Sequence, residues 1–238
     1  MAQTLVERAE VAGRRFPMTY DQWQRWEVEG VKSEWVDGEV IVFMPATARH
    51  GDLLSFLSTL LTAYVRFFGL GRLLTDSIEM HLGGRGRVPD LCFVRADHLG
   101  RLGDARLEGP ADLVVELVSA DSVGRDRQEK MAEYAAAGVP EYWLVEARPG
   151  RRGVAFYRLV GGGYESIPLD AEGRLWSAVL DGFWLDPGWL EQDPLPDALD
   201  CLFLLAPEIA AAKLGRAVAT RAAMTAVARE ATGEDDGR

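Results

Sequence analysis

The sequence predicts an α/β fold, a mixed central β-sheet flanked by helices, from three segments. Residues 112–119 (DLVVELVS) are a run of β-branched and leucine residues without helical period, bounded by Gly109-Pro110 and by Ser119 to Ser122, which reads as a buried strand. Residues 48–68 place apolar side chains at 53, 54, 57, 60, 61, 64, 65 and 68, the spacing of a helix with one buried face. Residues 123–137 read as a helix stopped by Gly138 and followed by the strand-like residues 141–145, which completes a strand, helix, strand unit.

The remaining elements follow in chain order. Thr19 is the expected N-cap of a short helix that runs through Gln22, Trp23 and Trp26 and stops at Gly30. Asp37-Gly38 between the strand formers 34–36 and 39–43 predicts a hairpin. After the 48–68 helix come strand-like stretches at 71–76 and 77–82, then a strand opened by Pro89-Asp90 that carries the apolar residues 91–94. Proline is tolerated at the first residue of a strand, so Asp90 is expected at a strand mouth. Strands at 154–160 and 164–169, joined by glycines 161–163, form a second hairpin, and residues 175–185 add one or two strands. Past Asp186-Pro187 the chain is acidic and proline-punctuated, then alanine-rich from 207 to 231, where a weak apolar stripe predicts a peripheral or partner-contacting helix. The expected organisation is an N-terminal arm (1–17), one α/β domain (18–190) and a C-terminal helical extension (191–238).

With 238 residues and 48% hydrophobic content, the chain can bury one sizeable core. It has no apolar run of about 18 residues and no signal-peptide core, so neither membrane insertion nor secretion is expected. Cys92 and Cys201 both fall in apolar runs and are expected as buried thiols, with a reducing cytoplasm as the compartment. The net charge of −11 argues against wholesale electrostatic affinity for nucleic acid. Local basic clusters at Arg85/Arg87, Arg101/Arg106, Arg125/Arg127 and Arg148/Arg151/Arg152 are read first as solvated surface. No phosphate-binding glycine loop, dinucleotide turn, His-Glu-x-x-His or Cys-x-x-Cys pattern is present.

Glu116 is a lone carboxylate in the most apolar strand, and burying it ionised without a partner costs several kcal/mol. Asp90 lies 26 residues earlier, enough for one strand, a connection and the next strand, so neighbouring strands bring both acids to one sheet edge. Lys130 shares a helix face with Tyr134 and Ala137 and can send its ammonium toward that edge, while Asp126, Arg127 and Glu133 take more exposed positions. Two carboxylates and an ammonium around one point suit a divalent cation beside a positive group that handles a reacting anion. The alternatives are a solvated Lys130, a turn-capping Asp90, and a Glu116 paired with Arg87 or Arg125.

Residues 87–94 (RVPDLCFV), 110–119 (PADLVVELVS), 126–134 (DRQEKMAEY) and 138–145 (GVPEYWLV), with 33–39 (SEWVDGE) and His50, resemble the Uma-two (Uma2) family of restriction-endonuclease-like proteins, within the PD-(D/E)XK nuclease superfamily. The resemblance covers about residues 18 to 190. It implies a restriction-endonuclease-like fold and metal-dependent hydrolysis of DNA, with Asp90 and Glu116 binding Mg²⁺ or Mn²⁺. The superfamily's lysine should stand two residues after Glu116, where this chain has Val118, and the resemblance implies that Lys130 substitutes for it. Glu34 resembles the additional acid near the start of such folds, and His50 a family position of unassigned role. DNA is the implied partner, and an acidic chain that holds it must gather its basic groups beside the site, across a homodimer. The rival readings are a catalytically silent protein that binds nucleic acid or a protein, and a hydrolase with Ser119 or Cys92 as nucleophile, for which no nucleophile elbow is present.

Overall fold

The structure, a computed structural model, describes residues 11–26, 31–75, 78–120 and 122–232. Gly30, the expected stop of the first helix, Asp76 and Ser77 lie outside the described residues. Fourteen strands are present among the described residues: β1 (Arg15–Pro17), β2 (Ser33–Val36), β3 (Glu39–Val42), β4 (Gly71–Thr75), β5 (Glu79–His81), β6 (Gly86–Arg87), β7 (Leu91–Arg95), β8 (Arg106–Glu108), β9 (Leu113–Val118), β10 (Glu141–Glu146), β11 (Val154–Val160), β12 (Gly163–Ser166), β13 (Leu175–Trp176) and β14 (Trp184–Leu185). The helices are α1 (Tyr20–Gln24), α2 (Ala48–Phe68), α3 (Lys130–Ala137), α4 (Pro187–Glu191), α5 (Ala198–Leu205) and α6 (Pro207–Thr232).

The central sheet has the order β12-β11-β10-β9-β7-β4 and is mixed. β9 and β10 are parallel, linked by the right-sized crossover through α3, and the other pairs are antiparallel. Alternation along β9 explains why it is apolar at every position but Glu116. Leu113, Val115 and Leu117 face the core beneath α2, while Val114 and Val118 face the core that holds Tyr134, so both faces are covered. α2 contributes Leu53, Leu57, Leu60, Leu61, Tyr64 and Val65, all buried, each worth roughly 1.5–3 kcal/mol of transfer free energy. Thr47 caps its first turn and Gly69, at φ 65°, its last. On the same side Trp143 stacks on Phe156 with centroids 3.7 Å apart.

A second, smaller sheet, β1-β3-β2-β6-β5-β8, was not legible from the chain. Its nucleus is the expected hairpin, where Asp37 (φ 51°) and Gly38 (φ 91°) take the positive φ that a two-residue turn between twisted strands requires. β6 crosses so close to α1 that a Cβ on Gly86 would lie 2.5 Å from the Trp23 ring and 2.9 Å from Glu79 Oε1. Glycine is required there, and it sets the position of the next residue, Arg87.

Residues 198–209 pack into the core under α2 through Cys201, Leu202, Leu205 and Ile209. Beyond that anchor, Val218 and Met224 of α6 lie in solvent. Both cysteines are buried free thiols, and among the described residues no helix is long and apolar enough to cross a membrane.

Candidate active site

β7 and β9 are antiparallel with Leu91 opposite Val115, so one step outward Asp90 lies opposite Glu116. Both are buried. The strand pair alone therefore produces the expected convergence of the two acids. Asp90 Oδ1 accepts from Lys32 Nζ at 2.6 Å and lies 3.7 Å from His50 Nε2, and Oδ2 accepts from the Leu117 N–H at 2.7 Å. Burial alone would raise the Asp90 pKa, but Lys32, then His50 and the Leu117 amide, outweigh it and hold the carboxyl below its usual range.

Glu116 Oε1 accepts from Lys130 Nζ and from the Tyr134 hydroxyl, each at 2.8 Å. Burial is the main reason its pKa is pushed up to about 7; Lys130 pulls it down, and the neighbouring charges of Asp90 and Asp126 push it further up. Lys130 is 0% exposed and also meets Glu34 Oε1 at 2.9 Å and Asp126 Oδ1 at 3.7 Å. Burial by itself would lower the Lys130 pKa, yet the carboxylates of Glu116, Glu34 and Asp126 raise it. Glu34 is clamped from its other side by Arg87 Nη1 at 2.8 Å and by the Val88 N–H at 3.1 Å. Against the effect of burial, Lys130 and Arg87 hold its carboxyl down to about 2. Arg87 in turn chelates Glu133 through Nε and Nη2, both at 2.8 Å.

The expected site residues thus come together: Asp90 from the mouth of β7, Glu116 from β9, Glu34 from β2 and Lys130 from α3. Glu116 pairs with Lys130 and not, as in the alternative reading, with Arg87, which is taken by Glu34 and Glu133. Two expectations are corrected: Arg87 and Arg125, read first as solvated surface, are buried, and so is Asp126. Asp126 is 1% exposed rather than on the surface, since it stands four residues before Lys130 on the same face. That spacing of Ser122, Asp126, Lys130 and Tyr134 was the signal for it, and Ser122 hydrogen-bonds Asp126. Residues Arg125–Glu129 are wound as a π turn, with the Lys130 N–H bonded to the Arg125 carbonyl, a widening frequent at functional sites. Lys32 carried no recognisable signal, because it reaches Asp90 only through the apposition of the two sheets.

These groups border a cavity of about 530 Å³ lined by Lys32, His50, Asp90, Glu116 and Asp126, with Phe43, Met44 and Pro45 as an apolar wall. Lys130 and Glu34 lie behind that lining. The Phe43 ring has the Arg125 guanidinium 4.4 Å and Lys32 Nζ 5.3 Å from its centroid, which stiffens the wall through cation–π contact. Among the described residues, no group of three or more His, Cys, Asp or Glu side chains is gathered as a preformed metal cage.

A putative nuclease of the DUF820 family from Anabaena variabilis shares the fold, with a TM-score of 0.59, 18% identity, and an alignment covering 73% of this chain and 97% of that one. No curated protein sequence matches. The family model described as "Uma2: Putative restriction endonuclease" matches residues 17–188, which contain the whole central sheet, the second sheet from β2 onward and every residue of the acid cluster. With nearly three quarters of its length so matched, the chain belongs to the Uma2 family.

Proposed function

We propose that the protein is a divalent-cation-dependent endonuclease that hydrolyses DNA phosphodiester bonds at the Asp90–Glu116 cavity. The observation that carries this reading is two buried carboxylates facing each other on adjacent strands, at the wall of a cavity that also holds a lysine ammonium. Their chemistry fits Mg²⁺ or Mn²⁺, hard cations that take a few carboxylates and keep several waters. The Asp90 charge helps push the Glu116 carboxyl up, a repulsion that a cation between them relieves. Asp90 and Glu116 would hold the ion, which when bound lowers the pKa of a water and polarises the phosphodiester.

The protein's own groups divide the remaining work. Lys130, fully buried against Glu116 and Glu34, is a positioning residue: it fixes the Glu116 carboxylate and favours its ionised form. Tyr134 fixes the same oxygen. Glu34, anchored by Arg87, keeps the Lys130 ammonium in place. Lys32 lines the cavity and neutralises charge that develops on the phosphate. A homodimer, with one such cavity for each DNA strand, and a cytoplasmic location belong to the same proposal.

A binding protein without catalysis is the second reading, favoured by the Lys32–Asp90 pair, whose ammonium stands on an oxygen the metal requires. Plasmid nicking separates the two. Cleavage that needs Mg²⁺ or Mn²⁺ and disappears in Asp90→Asn supports the nuclease, whereas a wild type that binds DNA and never cuts it supports the second reading.

A further inference from the structure

From the groove between α2 and α6 we infer a second binding site, for the phosphodiester backbone of duplex DNA flanking the cut, an inference that rests on the nuclease reading above. The groove has a volume of about 720 Å³ and is lined by Arg66 from α2 and by Lys213 and Arg216 from α6, with Ser58, Thr59 and Thr62 between them. No carboxylate lines it.

In a chain with 37 acidic and 26 basic residues, that composition is unexpected. Five other surface arginines have found acids, Arg15 with Glu129, Arg85 with Asp37, Arg95 with Asp97, Arg106 with Glu108 and Arg158 with Glu165, whereas no groove cation has. Arg66, Lys213 and Arg216 make no ion pair or hydrogen bond with any described residue. Lys213 and Arg216 are three apart on one helix, so they present their charges to the same side. Three adjacent like charges repel each other, and an external anion offsets that repulsion.

The chemistry of the groove selects phosphate. Two guanidinium groups offer bidentate donors, and Thr59 and Thr62 offer hydroxyl donors; the Ser58 proton is already given to the Ser55 carbonyl at 3.1 Å. Position connects the groove to the cavity. The first turn of α2 supplies Thr47 and His50 to the cavity wall, and the same helix carries the groove residues 58–67. At about 1.5 Å per residue, Thr62 lies roughly 18 Å along the helix from His50, a span of about five base pairs. The groove would thus hold phosphates several steps from the one being cut. It also places the cations of an acidic protein where DNA can use them.

The test uses the full chain carrying Asp90→Asn, a short fluorescent DNA duplex and anisotropy titrations over a range of salt. Replacing Arg66, Lys213 and Arg216 together by Ala is expected to weaken binding at least about tenfold and to reduce the slope of log K against log salt by about 2 to 3. Arg66→Lys with Lys213→Arg and Arg216→Lys is expected to keep the slope, and Mn²⁺ titration of the triple Ala variant in the Asp90 background of the natural chain should match the unmutated groove. Equal affinity and slope in the triple Ala variant overturn the groove while leaving the nuclease reading intact. A polyglutamate peptide that binds the groove more tightly than DNA overturns it in favour of an acidic protein partner. A natural groove with no DNA affinity at any salt overturns both readings.

Discussion

Glu116 and Glu141 are two fully buried glutamates on adjacent parallel strands, and they are solved in opposite ways. Glu141 sits at the start of β10, where the Ser177 hydroxyl and the N–H groups of Ala178 and Val179 donate to one oxygen and Trp143 donates to the other. Glu116 sits toward the end of β9, where a charged amine and a tyrosine hold it beside two further carboxylates at a cavity wall. Burial raises both carboxyls above their usual pKa. Perturbation alone therefore does not distinguish chemistry from scaffolding. What distinguishes them is the kind of partner: neutral donors that tie down a loop at Glu141, and charges and a cavity at Glu116.

Asp90→Asn and Glu116→Gln are each expected to lower metal-dependent nicking by about a thousandfold or more, because they remove ligands for the charge that polarises the phosphate. Glu141→Gln, assayed at the same folded concentration, should cut at the natural rate. Substantial nicking by Glu116→Gln would erase the difference drawn between the two strands.

Stability should divide the other way. Lys130→Met leaves Glu34, Glu116 and Asp126 buried without their shared cation, an expected loss of about 3–5 kcal/mol in urea unfolding. Glu141→Ala strips acceptors from two backbone amides and an indole, for about 2–3 kcal/mol by the same measurement, with metal binding retained.

The pH dependence sharpens the contrast further. The folded Glu116 pKa is raised to about 7 from the usual 4.5, so this group favours the fold most below the unfolded value and that contribution is lost as pH rises through 7. Metal binding has the reverse sign, since the proton competes with the cation. Mn²⁺ affinity by calorimetry should be about tenfold weaker at pH 6 than at pH 8, with about one proton released on binding below pH 7. A flat profile would remove Glu116 from the ligand set. The smallest effect expected is that of Tyr134→Phe, which deletes one hydrogen bond to Glu116 and should cost about 1 kcal/mol while shifting that profile.

Much of this arrangement was legible in the chain. The 48–68 helix, the Asp37-Gly38 hairpin and strands β9 and β10 appear with bounds within a residue or two of those expected, and so does the helix between β9 and β10 once the π turn Arg125–Glu129 is counted with α3, because period and turn chemistry are local. The acids were legible for a different reason: a carboxylate in an apolar strand needs a partner, and that need pointed to Lys130. Asp126 was misplaced by weighing its charge above its spacing from Lys130. Lys32 was not legible because it meets Asp90 across the junction of the two sheets; Arg87 and the second sheet were not, because the pairing of β6 with β2 and the approach of α3 that give Arg87 its partners Glu34 and Glu133 are long-range.

The sequence by itself determined the strands of the central sheet and the long helix over it, which carboxylates had to be compensated, and that the compensation of Glu116 would be an amine from the following helix. Those are consequences of periodicity and of the cost of burying charge, and both are written in neighbouring residues. Only the tertiary structure decided that Lys130 lies sealed behind the cavity and that Lys32 faces into it. It also decided that three cations gather unpaired between α2 and α6. Which ammonium meets solvent depends on how two sheets and distant helices pack, and that is set by long-range contacts no local pattern encodes.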